Sequence, residues 1–90
     1  MRLSDLQIGD SGIVIGIVPS GRSEHADIGH EELERRLLEI GFVEGARFRV
    51  LHEGLIGRDP MAIKLDDMRI ALRRREAEAI AVERDAAARV

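Results

Sequence analysis

Leucine and glycine recur every third residue at the start of the chain, as Leu3, Leu6, Gly9 and Gly12. That spacing predicts one helical turn that lays two leucines on a core before a glycine turn. The run Ile13, Val14, Ile15, Gly16, Ile17, Val18 is β-branched and almost wholly apolar. It reads as the central strand, buried on both faces, with Gly16 marking a bulge or a close backbone approach. Pro19 to Gly29 follows as a loop, because Pro and Gly end the strand and nothing periodic replaces it. From His30 the apolar positions fall at Leu33, Leu37 and Ile40, with Glu34, Arg35, Arg36 and Glu39 elsewhere on the wheel. This is a short amphipathic helix, with Glu31 and Glu32 suiting its N-terminal dipole and Gly41 placed to cap its end.

Beyond the helix the period changes to two. Phe48 and Val50 alternate with Arg47, Arg49 and Leu51 in a half-buried strand, and His52 shares the inward parity of Phe48. Gly54, Gly57 and Asp59-Pro60 make a loop. Met61, Ile63 and Leu65 then alternate with Ala62 and Lys64, and Asp66-Asp67 turns the chain into Met68, Ile70 and Leu72, an antiparallel hairpin by pattern. The segment Arg74 to Val90 admits two readings. Its Ala, Glu and Arg content allows one helix nearly to the end, whereas Ile80 and Val82 alternating with Ala79 and Ala81 allow a helical turn at Arg75 to Glu78 and a closing strand at Ala79 to Glu83. Arg84 to Val90 reads as a loose tail, which leaves residues 1–83 as one domain. Short strands with one helix inserted after the first predict a mainly β fold, a small, partly open barrel.

A chain of 90 residues supports one core, and 44% hydrophobic against 34% charged residues is the balance of a folded domain rather than a disordered one. With 14 Lys and Arg against 17 Asp and Glu the formal charge is -3, so no overall positive field favours nucleic acid. Trp and Tyr are absent and Phe42 and Phe48 are the aromatic residues, which removes stacking platforms for single strands. Cysteine is absent as well. That excludes disulfides and thiolate metal sites, and with no signal-peptide pattern in Met1 to Asp10 and no apolar run long enough for a membrane span it predicts a cytosolic protein that is not membrane-embedded.

Candidate chemistry is sparse. His25, Asp27 and His30, followed by Glu31, offer nitrogen and oxygen ligands within a few residues, but no HxxxH or HExxH spacing places them on one helical face. The reading adopted is a solvated polar loop without cofactor; the alternative is a weak divalent-metal site. His52 is most simply a strand-end histidine with a backbone partner. Hydroxyls come from Ser4, Ser11, Ser20 and Ser23 alone, with no nucleophile motif around any of them, and Asp66 with Asp67 reads as a turn rather than a carboxylate pair. No enzyme activity is expected. Arg69, Arg73, Arg74 and Arg75 form the densest basic group, partly neutralised by Glu76 and Glu78. Beside the plain reading of a solvated surface stands a charged strip that orients a protein partner. Leu38 lies off the helix stripe and, with Phe42, forms a small exposed apolar patch or else packs into the barrel mouth. Leu38, Phe42, Arg73 and Arg74 are therefore the candidate partner-binding residues, and an exposed barrel edge would permit a weak homodimer by strand pairing.

Four segments together resemble the FeoA family, ferrous iron transport protein A, over Leu3 to Val82. They are Leu3-x-x-Leu6-x-x-Gly9-x-x-Gly12, Arg36-Leu37-Leu38-Glu39-Ile40-Gly41-Phe42-Val43-Glu44-Gly45, Gly57-Arg58-Asp59-Pro60, and Ala71 through Val82. The resemblance implies an SH3-like barrel with a closing C-terminal strand. It also implies a small cytosolic accessory protein of bacterial ferrous iron uptake, without chemistry of its own, whose partner is the cytosolic part of a GTPase-containing membrane transporter. The chain departs from the family in its longer Pro19 to Gly29 loop, in Arg58 splitting the common Gly-Asp-Pro turn, and in Glu44 at a frequent proline. The barrel also resembles the C-terminal regulatory module of metal-dependent repressors of the diphtheria-toxin-repressor type, and this supplies the alternative of a metal-responsive sensor.

Overall fold

Strict alternation over Met61–Leu65 buries Met61, Ile63 and Leu65 on one face and turns Lys64 to solvent, as a half-buried strand requires. The same rule generates most of the architecture. The computed structural model describes residues 1–18 and 27–86, and of 27–30 it describes the backbone. Its strands are β1 (Ser11–Ile17), β2 (Arg47–Glu53), β3 (Met61–Leu65), β4 (Met68–Leu72) and β5 (Ile80–Arg84); its helices are α1 (Asp27–Ile40) and α2 (Arg74–Ala77), preceded by a 3-10 turn at Leu3–Asp5. All strand pairs are antiparallel, in the order β4-β3-β2-β1-β5. The closing strand is therefore the outcome at the ambiguous C-terminal end. Burial of Ile80 and Val82 beside the β1 residue Val14 outweighs the helix propensity of the surrounding alanines.

Two bulges adjust this plan. In β1, Val14 pairs with Val82 and Gly16 with Ala81, so Ile15 is the extra residue. The bulge expected at Gly16 is present, but β1 is not buried on both faces: Ile15 is exposed and Ile13 and Ile17 are half-buried. The sheet covers its core on one side alone, and β2, not β1, occupies the middle of the order. In β2, Val50 pairs with Ile63 and His52 with Ala62, which leaves Leu51 as the extra residue. A one-residue bulge inverts the side-chain parity of everything after it. His52, expected to lean inward, is accordingly exposed.

The core consists of Leu3, Leu6, Val14, Leu37, Phe42, Phe48, Val50, Met61, Ile63, Leu65, Leu72, Ile80 and Val82 with the small residues Ala46, Ala77 and Ala79. Leu37 is the helix's buried contribution, and Leu33 and Ile40 pack against it from the same stripe. Helix α1 begins at Asp27, one turn before the expected start at His30, so Asp27 to Gly29 is helix rather than loop. Acidic residues in the first turns suit the dipole, and one glycine near a helix end costs about 1 kcal/mol, too little to delay it. At the other end Gly41 adopts φ 129. Its N–H and that of Phe42 both donate to the Leu37 carbonyl, at 3.2 and 3.0 Å, and the left-handed step drops Phe42 into the core.

The termini are stitched to the sheet. The Val82 N–H donates to the Met1 carbonyl at 2.9 Å and Arg2 bridges to Ala81, which covers part of the outer edge of β5 and leaves β4 as the more open edge. Asp85 donates its N–H to the Ser11 carbonyl at 2.8 Å and receives the Ser11 hydroxyl at 3.0 Å and Arg47 at 3.1 Å. Arg84 and Asp85 thus belong to the folded chain, past the expected boundary at 83; residues 87–90 lie outside the described residues. No helix among the described residues is long and apolar enough to cross a membrane.

Candidate partner-binding surface

The bulge in β2 has a chemical consequence at the strand's end. With parity inverted, Glu53 pairs with Met61 and shares the inward side of a fully buried residue. A carboxylate there needs partners, and Arg74 at the start of α2 supplies the main one. Its Nη2 donates to Glu53 Oε1 at 2.6 Å, its Nη1 to the Ser4 carbonyl at 2.8 Å and its Nε to the Arg58 carbonyl at 2.8 Å. The backbone N–H of Arg74 donates to Asp59 Oδ1 at 2.8 Å, and Arg58 Nε adds a second cation to Glu53 at 3.2 Å. The side chains of Arg74 and Glu53 are 18% and 21% exposed. A planar guanidinium with its donors in a fixed fork can bind three segments at once, here the N-terminal turn, the end of β2 and the β2–β3 loop. Arg74, expected on the surface as a partner contact, is instead an internal clamp.

Of the two places open to Phe42 the interior is the one it takes: it is fully buried, forms no exposed patch with Leu38 and is withdrawn as a partner contact. Leu38 is 42% exposed on α1. Arg73 is exposed, as are Arg69 and Arg75. The Arg73 N–H donates to Glu76 Oε1 at 2.9 Å and starts α2, while Glu76 also pairs with Arg36 of α1. The structure therefore leaves Leu38 and Arg73 available from the solvent and withdraws Phe42 and Arg74 into the fold.

The most exposed apolar residues were not among the expected contacts. Leu55 is fully exposed and Ile56 is 88% exposed, both at the tip of the Gly54–Pro60 loop. The loop base is closed by the Gly54 N–H donating to the Pro60 carbonyl at 2.9 Å. Gly54 is required there, because a Cβ would stand 1.9 Å from the Asp59 carbonyl oxygen. Arg58 turns back with φ 61, and the Arg74 clamp then holds both Arg58 and Asp59. The sequence signal was two adjacent aliphatic residues between glycines in an otherwise polar loop, outside any periodic pattern.

Of the metal candidates, His25 lies outside the described residues, and Asp27 and His30 fall in the first turn of α1, where the side chains lie outside them too. Among the described residues no group of three or more His, Cys, Asp or Glu is placed to hold a metal ion. Asp66 serves the hairpin turn: its Oδ1 accepts the Arg47 N–H at 3.1 Å while its own N–H donates to the Arg47 carbonyl at 2.8 Å. A shallow cleft between the start of β1 and the end of β5 is lined by Asp10, Ser11, Arg49, Arg84 and Asp85. Its charges are of both signs, with Arg84 3.9 Å from Asp10.

A five-stranded antiparallel sheet with a helix inserted after its first strand is matched by a known family. Residues 1–84 fit the model of the FeoA domain. The chain belongs to the FeoA family. Among its relatives is a protein of Porphyromonas gingivalis described as an Fe(2+) transport protein A/Fe(2+) transporter FeoB fusion, 32% identical over 83 residues. Those residues are 92% of this chain and 8% of that one, so the FeoA-like chain spans a small part of its relative's length. Among solved structures, the zinc-complexed FeoA of Stenotrophomonas maltophilia, described as an SH3 domain protein, is 32% identical with a TM-score of 0.73, covering 92% of this chain and 89% of that one. The FeoA of Chlorobium tepidum is 32% identical with a TM-score of 0.75, covering 96% and 71%. The SH3-like fold expected from the FeoA resemblance is thus the fold of this chain, and its family is one associated with ferrous iron transport.

Proposed function

We propose that this FeoA-family chain is a cytosolic accessory protein that docks on a membrane ferrous iron transporter and modulates it without catalysing a reaction. The observation that carries this reading is the P. gingivalis relative, in which a domain of this kind and the transporter FeoB are one polypeptide. Fusion fixes two partners at high effective concentration, a device useful where the separate domains have reason to meet. The site chemistry agrees with a binding role. The charged groups of the polar cluster Arg74, Glu53, Arg58 and Asp59 are engaged with one another or with backbone. Outside this cluster lie apolar tips, arginines and carboxylates, the material of a docking surface with charges of both signs.

Deleting the protein in its own cell should lower ferrous iron uptake under iron limitation, and re-expression of the chain should restore it. Unchanged uptake in the deletion strain would end this reading. In vitro, the purified chain should bind the transporter reconstituted in nanodiscs.

A further inference from the structure

We propose that the Leu55–Ile56 tip is the anchor of that docking, entering an uncharged apolar pocket on the cytosolic side of the transporter. The inference rests on the docking reading above and goes beyond it by naming the element that makes the contact and the chemistry of its receptor.

Three features of the loop converge. First, Leu55 and Ile56 make no use of their apolar surface within their own fold, being fully and 88% exposed, whereas the neighbouring strands bury theirs. Second, the tip is held in place rather than left to wander. Gly54 and Pro60 close its base, the Asp59 N–H reaches the Ile56 carbonyl at 3.4 Å, and Arg74 grips Arg58 and Asp59 through one side-chain and one backbone donor. An aliphatic pair presented on a pre-formed support loses little conformational freedom on binding, which is how a small contact gains affinity. Third, the charges of the loop are neutralised internally. Two cations, Arg58 and Arg74, both on Glu53, balance the two carboxylates of Glu53 and Asp59, the latter also accepting the Arg74 backbone N–H.

The neutral tip selects the occupant. A nucleic acid or an anionic lipid surface would be met by unpaired cations beside the apolar residues, since two aliphatic side chains alone give weak membrane attachment and a polybasic neighbour normally completes it. Here the loop's one cation already has a carboxylate partner. A protein pocket lined by apolar side chains asks for no such charge and is the usual receptor for a protruding aliphatic anchor. Charge matching thus favours a protein cavity over a lipid headgroup layer.

The test uses the full chain and its own transporter in nanodiscs of neutral lipid, with empty nanodiscs of neutral and of anionic lipid alongside. Three variants are compared: Leu55→Ser/Ile56→Ser, Leu55→Met/Ile56→Val and, as a control elsewhere, Leu38→Ser. Because both tip residues are exposed, the thermal midpoint of each tip variant should stay that of the parent. The expected result is transporter binding by the parent, affinity lowered by roughly tenfold or more in the serine variant, and near-parental affinity in the Met/Val and Leu38 variants. Equal binding by the serine variant would overturn the anchor while leaving docking intact. Binding of the parent to empty nanodiscs, lost in the serine variant, would overturn the protein pocket in favour of lipid. No binding of the parent to the transporter would remove the docking reading and the anchor with it.

Discussion

The chain enters and leaves β3 by two different kinds of turn. On leaving, it reverses at Asp66-Asp67, with Leu65 and Met68 already paired. This turn rests on the main chain of the next strand: Asp66 takes φ 52, and its bonds run to the Arg47 backbone at the start of the adjacent β2. On entering, the chain crosses the longer Gly54–Pro60 connection, held by Glu53 just before it and by the backbone and side chain of Arg74 in α2, which also reaches the Ser4 carbonyl of the N-terminal turn. A tight turn of two residues needs little more than suitable turn residues and the main chain of a neighbouring strand. A longer loop must be specified by the rest of the molecule, and here one half-buried guanidinium does so. The turn held by main chain exposes two carboxylates; the loop clamped by a guanidinium exposes two aliphatic side chains.

The contrast can be broken by substitutions of graded effect. The largest is expected in the core, where Phe42→Ala should cost about 3–5 kcal/mol in chemical denaturation, the size of a fully buried phenylalanine. A loss below about 1 kcal/mol would place Phe42 at the surface after all. At the loop end, Arg74→Met should cost about 2–4 kcal/mol, because Glu53 is left half-buried beside unpaired Ser4 and Arg58 carbonyls. In a domain of this length that corresponds to a thermal midpoint lower by about 10–20 °C. Amide hydrogen exchange should rise through Gly54–Pro60 in that variant while the Asp66 amide keeps its protection, and a uniform rise would contradict the separation of the two turns. At the hairpin, Asp66→Ala removes the carboxylate that caps Arg47 and puts an alanine at positive φ, for a loss of about 1 kcal/mol. Leu38→Ser should be the mildest, within about 0.5 kcal/mol, in keeping with a side chain of α1 that stands outside the buried stripe.

These expectations also mark where the sequence was legible. Period-two alternation identified β3, where each inward residue is buried, and its hairpin with β4, where Leu72 is buried, Ile70 half-buried and Met68 exposed. The stripe Leu33, Leu37 and Ile40 and the capping glycine Gly41 identified α1 and its end for the same reason. Gly16 announced the bulge in β1, whereas Leu51, an ordinary apolar residue, gave no sign of the bulge in β2. From that unannounced residue follow the outward turn of His52, the inward turn of Glu53 and the need for a buried cation. Arg74 consequently looked like one member of an exposed arginine run, and the reason it differs from Arg73 and Arg75 lies in the registry of a strand elsewhere in the chain. Phe42 stood between an exposed patch and the barrel interior because its burial depends on the path of the chain after Gly41, not on the helical wheel. The tip residues Leu55 and Ile56 were passed over because they belong to no periodic element, yet an aliphatic pair in a glycine-bounded loop is itself a departure from the polar content loops usually have.

The most direct test of the account is to observe the apolar tip itself. In protein carrying labelled Leu and Ile methyl groups, spectra with the transporter in nanodiscs should show saturable changes at Leu55 and Ile56, with the buried Leu37 and the helix residue Leu38 unmoved. Changes at Leu38 with Leu55 and Ile56 unaltered would contradict the assignment of docking to the clamped loop.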